Sequence, residues 1–132
     1  MLVLVVDDSC AMRRVIRRIL TPAGCEVVEA PDGSAALRML AAMPQPPDVI
    51  LSDWDMPHLN GVDLLTAVRA HPQWRDIALM MVTGECAQSQ IAHAMAAGAD
   101  AYLTKPFTPA AVLEKLRLLG LPDAPAGRGC AN

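Results

Sequence analysis

The sequence predicts one α/β domain, a doubly wound parallel sheet of five strands with five helices. Two observations lead there. Short apolar runs that look like buried strands alternate with longer segments of helical period. Cap and turn residues then fall at the junctions between them. A chain of 132 residues is long enough for one compact core and short for two.

The elements follow in order. "MLVLVV" has no basic flank and meets Asp7 and Asp8 at once, so it is too short for a signal peptide or a membrane span and reads as a buried strand, Leu2 to Val6. Ser9 can cap a first helix that stops before Pro22. A second strand is expected over Cys25 to Glu29, and Asp32 can cap a helix running towards Met43, ahead of "PQPPD". The third strand is Val49 to Ser52. Asn60 caps the next helix, which ends near Ala70 because Pro72 disfavours helical geometry at His71. The fourth strand, Ala78 to Val82, leads to a helix over Gln88 to Ala97, with Gly98 suited to the left-handed position after it. Ala101 to Leu103 is the fifth strand. Thr108 and Pro109 open the last helix, since proline at the first helical position loses no hydrogen bond, and Gly120 closes it. The expected domain is 1–119, followed over 120–132 by "LPDAPAGRGCAN" and its flanking glycine as a flexible tail with little to bury.

Composition narrows the function. Hydrophobic residues make up 53% of the chain and aromatics 3%, so the core is aliphatic, with the eight methionines as filler. A net charge of -3 argues against a dedicated nucleic-acid binder, and no segment suits a membrane. Cys10, Cys25, Cys86 and Cys130 form no C-x-x-C pair, which points to reduced thiols in the cytoplasm.

Chemistry gathers at the strand ends, where ligands bind in open parallel sheets. The first strand is followed by Asp7 and Asp8, the third by Asp53 and Asp55 in "LSDWDMP", the fourth by Thr83, and the fifth by Lys105. Each alone has an ordinary explanation as a cap, a turn or a satisfied backbone. Together they describe one site. If the first and third strands are neighbours, Asp7, Asp8 and Asp53 crowd a pocket and raise one another's pKa unless a cation sits among them. Oxygen donors of this kind suit magnesium, which commonly bridges carboxylates to phosphate oxygens. Lys105 adds a positive charge and Thr83 a hydroxyl, as phosphoryl transfer requires.

The stretches "VVDDSCAMRRVIRRIL", "LSDWDMPHLNGVDLL", "MMVTGE" and "AYLTKPFTPA" resemble the receiver domain of two-component response regulators, nearest to the stand-alone chemotaxis kind, over about Met1 to Leu119. The resemblance implies a flavodoxin-like strand order of 2-1-3-4-5. It implies that Asp53 accepts a phosphoryl group as a carboxylate nucleophile, and that Thr83 and Lys105 bind the phosphoryl oxygens. Magnesium would be held by the side chains of Asp8 and Asp53 and the backbone carbonyl of Asp55, with Asp7 acting through water and charge. Such a protein is not a classical enzyme, although it catalyses its own phosphorylation and dephosphorylation. The family's Lys-Pro bond, here Lys105-Pro106, is typically cis. Output would follow when Thr83 moves towards the phosphoryl group and Tyr102 turns inward, with Gly84 leaving room and Ile91 and Lys115 on the same partner-binding surface. The implied partners are a histidine kinase or histidine phosphotransfer protein and an output protein such as the flagellar motor switch. The chain is expected to be monomeric.

Some features stay open in the sequence. Asp55 stands where chemotaxis relatives usually carry asparagine, and with Glu85 it is expected to set the phosphoryl lifetime, by orienting the hydrolytic water or repelling it. Arg13, Arg14, Arg17 and Arg18 form a stripe that is either a solvated face or a docking surface for an acidic kinase or phosphotransfer domain. Trp54 is a reporter of metal binding or a loop packing residue. Trp74 packs near the third helix, and His58, His71 and His93 carry no assigned role. A phosphorelay shuttle or phosphate sink competes with motor control. From another class, an aspartate-nucleophile phosphatase of the haloacid dehalogenase type is suggested by "DWD", but its motif normally follows the first strand. A flavin carrier lacks the phosphate-cradling loop after the first strand.

Overall fold

The computed structural model describes residues 1–54, 59–84 and 88–119. Its elements run β1 (Leu2–Val6), α1 (Cys10–Leu20), β2 (Glu26–Ala30), α2 (Gly33–Ala42), β3 (Val49–Asp53), α3 (Gly61–Ala70), β4 (Ala78–Thr83), α4 (Gln88–Ala97), β5 (Ala101–Thr104) and α5 (Pro109–Leu118). All strand pairs are parallel and the sheet order is β2-β1-β3-β4-β5. Fold class and order are as expected from the sequence.

Side chains alternate across the sheet and divide the core in two. Leu4, Val6, Ile50, Leu79 and Met81 face one layer, where α2, α3 and α4 contribute Ala36, Leu40, Leu64, Leu65, Val68 and Ala94. Val3, Val5, Val49, Leu51, Met80, Val82 and Leu103 face the other, against Ile16 and Leu20 of α1 and Val112 and Leu116 of α5. Burial on both faces explains why β1, β3 and β4 read as largely apolar runs, whereas β2 at the sheet edge carries Glu26 and Glu29.

The expected caps form. Ser9, Asp32, Asn60 and Thr108 each accept a hydrogen bond from the backbone N–H three residues on, filling orphan donors at the helix starts. Gly98 has φ +114° after α4, with its N–H donating to the Met95 carbonyl and that of Ala99 to Ala94. Trp74 stacks on His71, the residue capping α3, at 3.7 Å between ring centroids.

β2 begins one residue later than the sequence suggests. The Cys25 N–H is used by the turn closing α1, where it donates to the Leu20 carbonyl, so pairing with β1 starts at Glu26. The last three strands each run a residue or so further, to Asp53, Thr83 and Thr104. The closing role of Gly120 and the tail beyond it lie outside the described residues.

Candidate phosphoacceptor site

Strand order reverses at β1, with β2 on one side and β3 on the other, and the crevice this opens lies beyond the carboxyl ends of β1 and β3. Asp7 follows the last residue of β1 and Asp53 ends β3. Both are buried, at 2% and 8% exposure, whereas Asp8 is open to solvent. One carboxylate oxygen from each of the three lies within 4.8 Å of the others.

Lys105 reaches into this cluster. Its Nζ lies 3.3 Å from Asp53 Oδ1 and 3.4 Å from Asp7 Oδ2. In the β5–α5 connection the Lys105-Pro106 peptide is cis, and the Lys105 N–H donates to the Thr83 carbonyl at 2.7 Å. Thr83 itself is buried at the end of β4, at 4% exposure. The site therefore assembles Asp7, Asp8, Asp53, Thr83 and Lys105 from the ends of four strands. Asp55 and Glu85 lie outside the described residues.

The electrostatics are unbalanced. Burial pushes the Asp53 carboxyl above its ordinary value, and the Asp7 carboxylate adds to the rise. Lys105 opposes both through its charge and its hydrogen bond, and Asp8 adds a further upward push. Three carboxylates against one ammonium leave two negative charges in excess, which is the charge of one divalent cation. The all-oxygen donor set and the exposed Asp8 fit a magnesium ion that keeps several waters.

Tyr102 of β5 is half-buried and the Lys115 Nζ of α5 sits 5.2 Å from its ring centroid, a cation–π contact. Ile91 is half-buried on α4. A Cβ at Gly84 would meet nothing within 4 Å beyond its chain neighbours. Trp54 is half-buried against the α2–α4 layer, and its ring meets that of His93 edge-on at 6.3 Å.

The arginine stripe divides. Arg13 and Arg17 both pair with Glu29 of β2, at 3.0 and 2.6 Å; Arg13 is half-buried, whereas Arg14, Arg17 and Arg18 are exposed. Neither a uniformly solvated face nor a four-arginine docking surface describes α1. Glu29 lies on a different element, so no local spacing reveals the pairing. Gly61 is a second residue the sequence reading passed over. A Cβ there would lie 2.4 Å from the Asp53 carbonyl oxygen and 2.5 Å from the Met81 methyl, so α3 starts directly against the backbone of the acceptor strand. Its one visible signal is a glycine at the first helical position after Asn60.

Residues 3–117 match the family model of the response regulator receiver domain. The chemotaxis protein CheY1 of Helicobacter pylori strain J99 is 41% identical over 120 residues, covering 90% of this chain and 96% of the relative. CheY of Pseudomonas aeruginosa PAO1 is 41% identical over 117 residues, covering 88% and 93%. Among solved structures, CheY4 of Vibrio cholerae superposes with a TM-score of 0.82 at 36% identity, over 89% of this chain and 96% of that one. A CheY-like receiver domain protein of Methanospirillum hungatei gives 0.80 at 29% identity, over 89% and 91%. With the acid cluster at the β1/β3 crevice and a family match across nearly all its length, the chain belongs to the response regulator receiver domain family.

Proposed function

We propose that this protein is a stand-alone phosphoryl switch of the chemotaxis kind, in which Asp53 accepts a phosphoryl group from a phosphohistidine. The observation that carries the reading is the juxtaposition of three carboxylates within 4.8 Å with Lys105 at 3.3 Å from Asp53. An Asp53 carboxylate oxygen forms the new O–P bond while the P–N bond to the donor imidazole breaks, its electron pair remaining on that nitrogen. Lys105 offsets charge on the phosphoryl oxygens and Thr83 offers its hydroxyl to one of them. Asp7, Asp8, Asp53 and the Asp55 carbonyl would hold a magnesium ion, which when bound neutralises charge on the transferring group. Because Asp53 is buried beside Asp7, its carboxylate is held close to a single orientation, which favours an in-line attack.

The donor is a histidine kinase or phosphotransfer protein that approaches α1. A groove of about 540 Å³, lined by Val15, Arg18, Ile19, Pro22, Phe107 and Pro109, lies between α1 and the start of α5. Val15 is 45% exposed, and with Arg14 and Arg18 it offers an apolar strip bordered by cations, suited to an acidic helical partner. Output by Tyr102, Ile91 and Lys115 is supported by the Tyr102–Lys115 contact and by the chemotaxis names of the relatives. A cytoplasmic location fits both the partners and the thiols. No helix among the described residues is long and apolar enough to cross a membrane. A shuttle or phosphate sink is the second reading, and the α1 groove is what favours it.

Intact-protein mass after incubation with acetyl phosphate, with and without magnesium, tests the switch. A phosphoryl adduct that requires both magnesium and Asp53 is expected, with none on Asp53→Asn. An unlabelled wild type, under conditions that label another receiver, would leave a protein that acts by binding alone.

A further inference from the structure

We propose that Arg13 is a positioning residue for the acid pocket: its guanidinium holds the Asp7 carbonyl, and with it the bend that presents Asp7 to Lys105 and Asp8 to a cation. The inference rests on the phosphoryl-switch reading above. β1 ends at Val6, so the Asp7 carbonyl lies beyond the strand ladder, and it accepts a hydrogen bond from Arg13 Nη1 at 2.6 Å. Every other polar group of Asp7 is also engaged. Its N–H donates to the Ala30 carbonyl at 3.1 Å, Oδ1 accepts from the Ser9 N–H at 2.8 Å, and Oδ2 faces Lys105 Nζ at 3.4 Å. Asp7 is 2% exposed, so water has little access to replace a lost partner.

The guanidinium acts through placement. It bonds the carbonyl and not a carboxylate of the trio, and Glu29 accepts from its Nε at 3.0 Å and offsets its charge. A planar fork can satisfy two acceptors on different elements at once, which a lysine ammonium on a flexible stem cannot reproduce. Arg13 thus ties α1 to β2 and to the loop carrying two of the three acids. Arg17 is an internal control. It shares Glu29, but its other hydrogen bond goes to the Val27 carbonyl at 3.2 Å, within β2 and away from the pocket.

The test titrates magnesium alone into the full chain, reads tryptophan fluorescence with calorimetry as a second readout, and follows the rate of phosphorylation by acetyl phosphate. Residues supporting a metal site typically change affinity by 10- to 100-fold when removed, so Arg13→Gln is expected to weaken magnesium about tenfold and Arg17→Gln by less than about twofold. Urea melts of both variants should show similar losses, so a general loosening of α1 would move both. Arg13→Lys is expected to bind magnesium more weakly than wild type. If Arg13→Gln does not fold, Arg13→Lys against Arg17→Lys carries the same comparison. Equal magnesium affinity in the Arg13 and Arg17 variants, or full recovery by Arg13→Lys, would overturn the assignment. A folded wild type that binds no magnesium would remove the switch reading and this inference with it.

Discussion

Replacing Gly61 by alanine puts a methyl group where the Asp53 carbonyl oxygen already is. The new Cβ would lie 2.4 Å from that oxygen, 2.5 Å from the Met81 methyl and 3.2 Å from the Trp54 Cα, whereas real contacts of this kind essentially never fall below 3.0 Å. The Met81 methyl ends a flexible side chain and can turn aside. The carbonyl is far less free, because its residue pairs with Val82 of β4 and it accepts a hydrogen bond from the Ser52 hydroxyl at 3.1 Å. Helix α3 and the end of β3 must therefore separate by at least 0.6 Å, the difference between 3.0 and 2.4 Å. Overpacking of this size costs about 1 to 3 kcal/mol and a helix-propensity gain of up to about 1 kcal/mol is subtracted, a net of roughly 0 to 3 kcal/mol whose central part is about 1 to 2 kcal/mol. At about 4 °C per kcal/mol for a domain of this size, the melting temperature should fall by roughly 4 to 8 °C. The chemical effect is the sharper one. A misplacement of 1 Å can cost about a hundredfold in rate, so 0.6 Å at the nucleophile's own backbone should slow phosphorylation about tenfold. The rate is measured with acetyl phosphate at saturating magnesium, below the melting range of the variant. A Gly61→Ala protein that phosphorylates at the wild-type rate and melts within a degree of it would refute the packing of α3 on the acceptor strand.

Other outcomes follow from the same structure. Magnesium at about 100 times its Kd should stabilise the wild type by about 2.7 kcal/mol, and Asp53→Asn should lose most of this gain in a thermal melt. Without metal the same variant should be the more stable one at neutral pH, because the Asp53 carboxyl is pushed up by burial and Asp7. That advantage should be absent below the ordinary carboxylate value near about 4 and fully developed only above the raised folded value. Glu29 has the opposite sign. Its hydrogen bonds from Arg17 and Arg13 hold its carboxyl below the ordinary value against an opposing effect of burial, so its contribution, at most about 1 kcal/mol, is present above pH 4 to 5 and fades as the pH falls through the lowered value. Urea midpoints of wild type and Glu29→Gln should converge on acidification. Arg69 joins four acceptors, the carbonyls of Arg75, Ile77 and Gly98 and the Asp100 carboxylate, and Arg69→Ala should lower the unfolding free energy by about 2 to 3 kcal/mol, read as a lower urea midpoint with an unchanged slope.

Much of this protein is legible in the sequence by itself. Apolar runs such as "LVLVV" and the "VIL" of the third strand mark doubly buried strands because burial on both faces removes any alternation. Ser9, Asp32, Asn60 and Thr108 mark helix starts because capping is a contact over three residues. The expectation that Asp7, Asp8 and Asp53 lie together with Lys105 could be drawn from the sequence because a parallel sheet places the ends of its strands at one edge. What the sequence left open depends on distances across the fold. The 4.8 Å acid cluster exists only because β3 pairs with β1. The tethering of Arg13 and Arg17 is decided by Glu29 on β2, 16 and 12 positions away. The closeness of Gly61 to the acceptor carbonyl is a property of how α3 sits on the sheet. Periodicity and capping act over a few residues and can be read along the chain. Pairing and close approach join residues far apart in sequence, so only the tertiary structure could decide them.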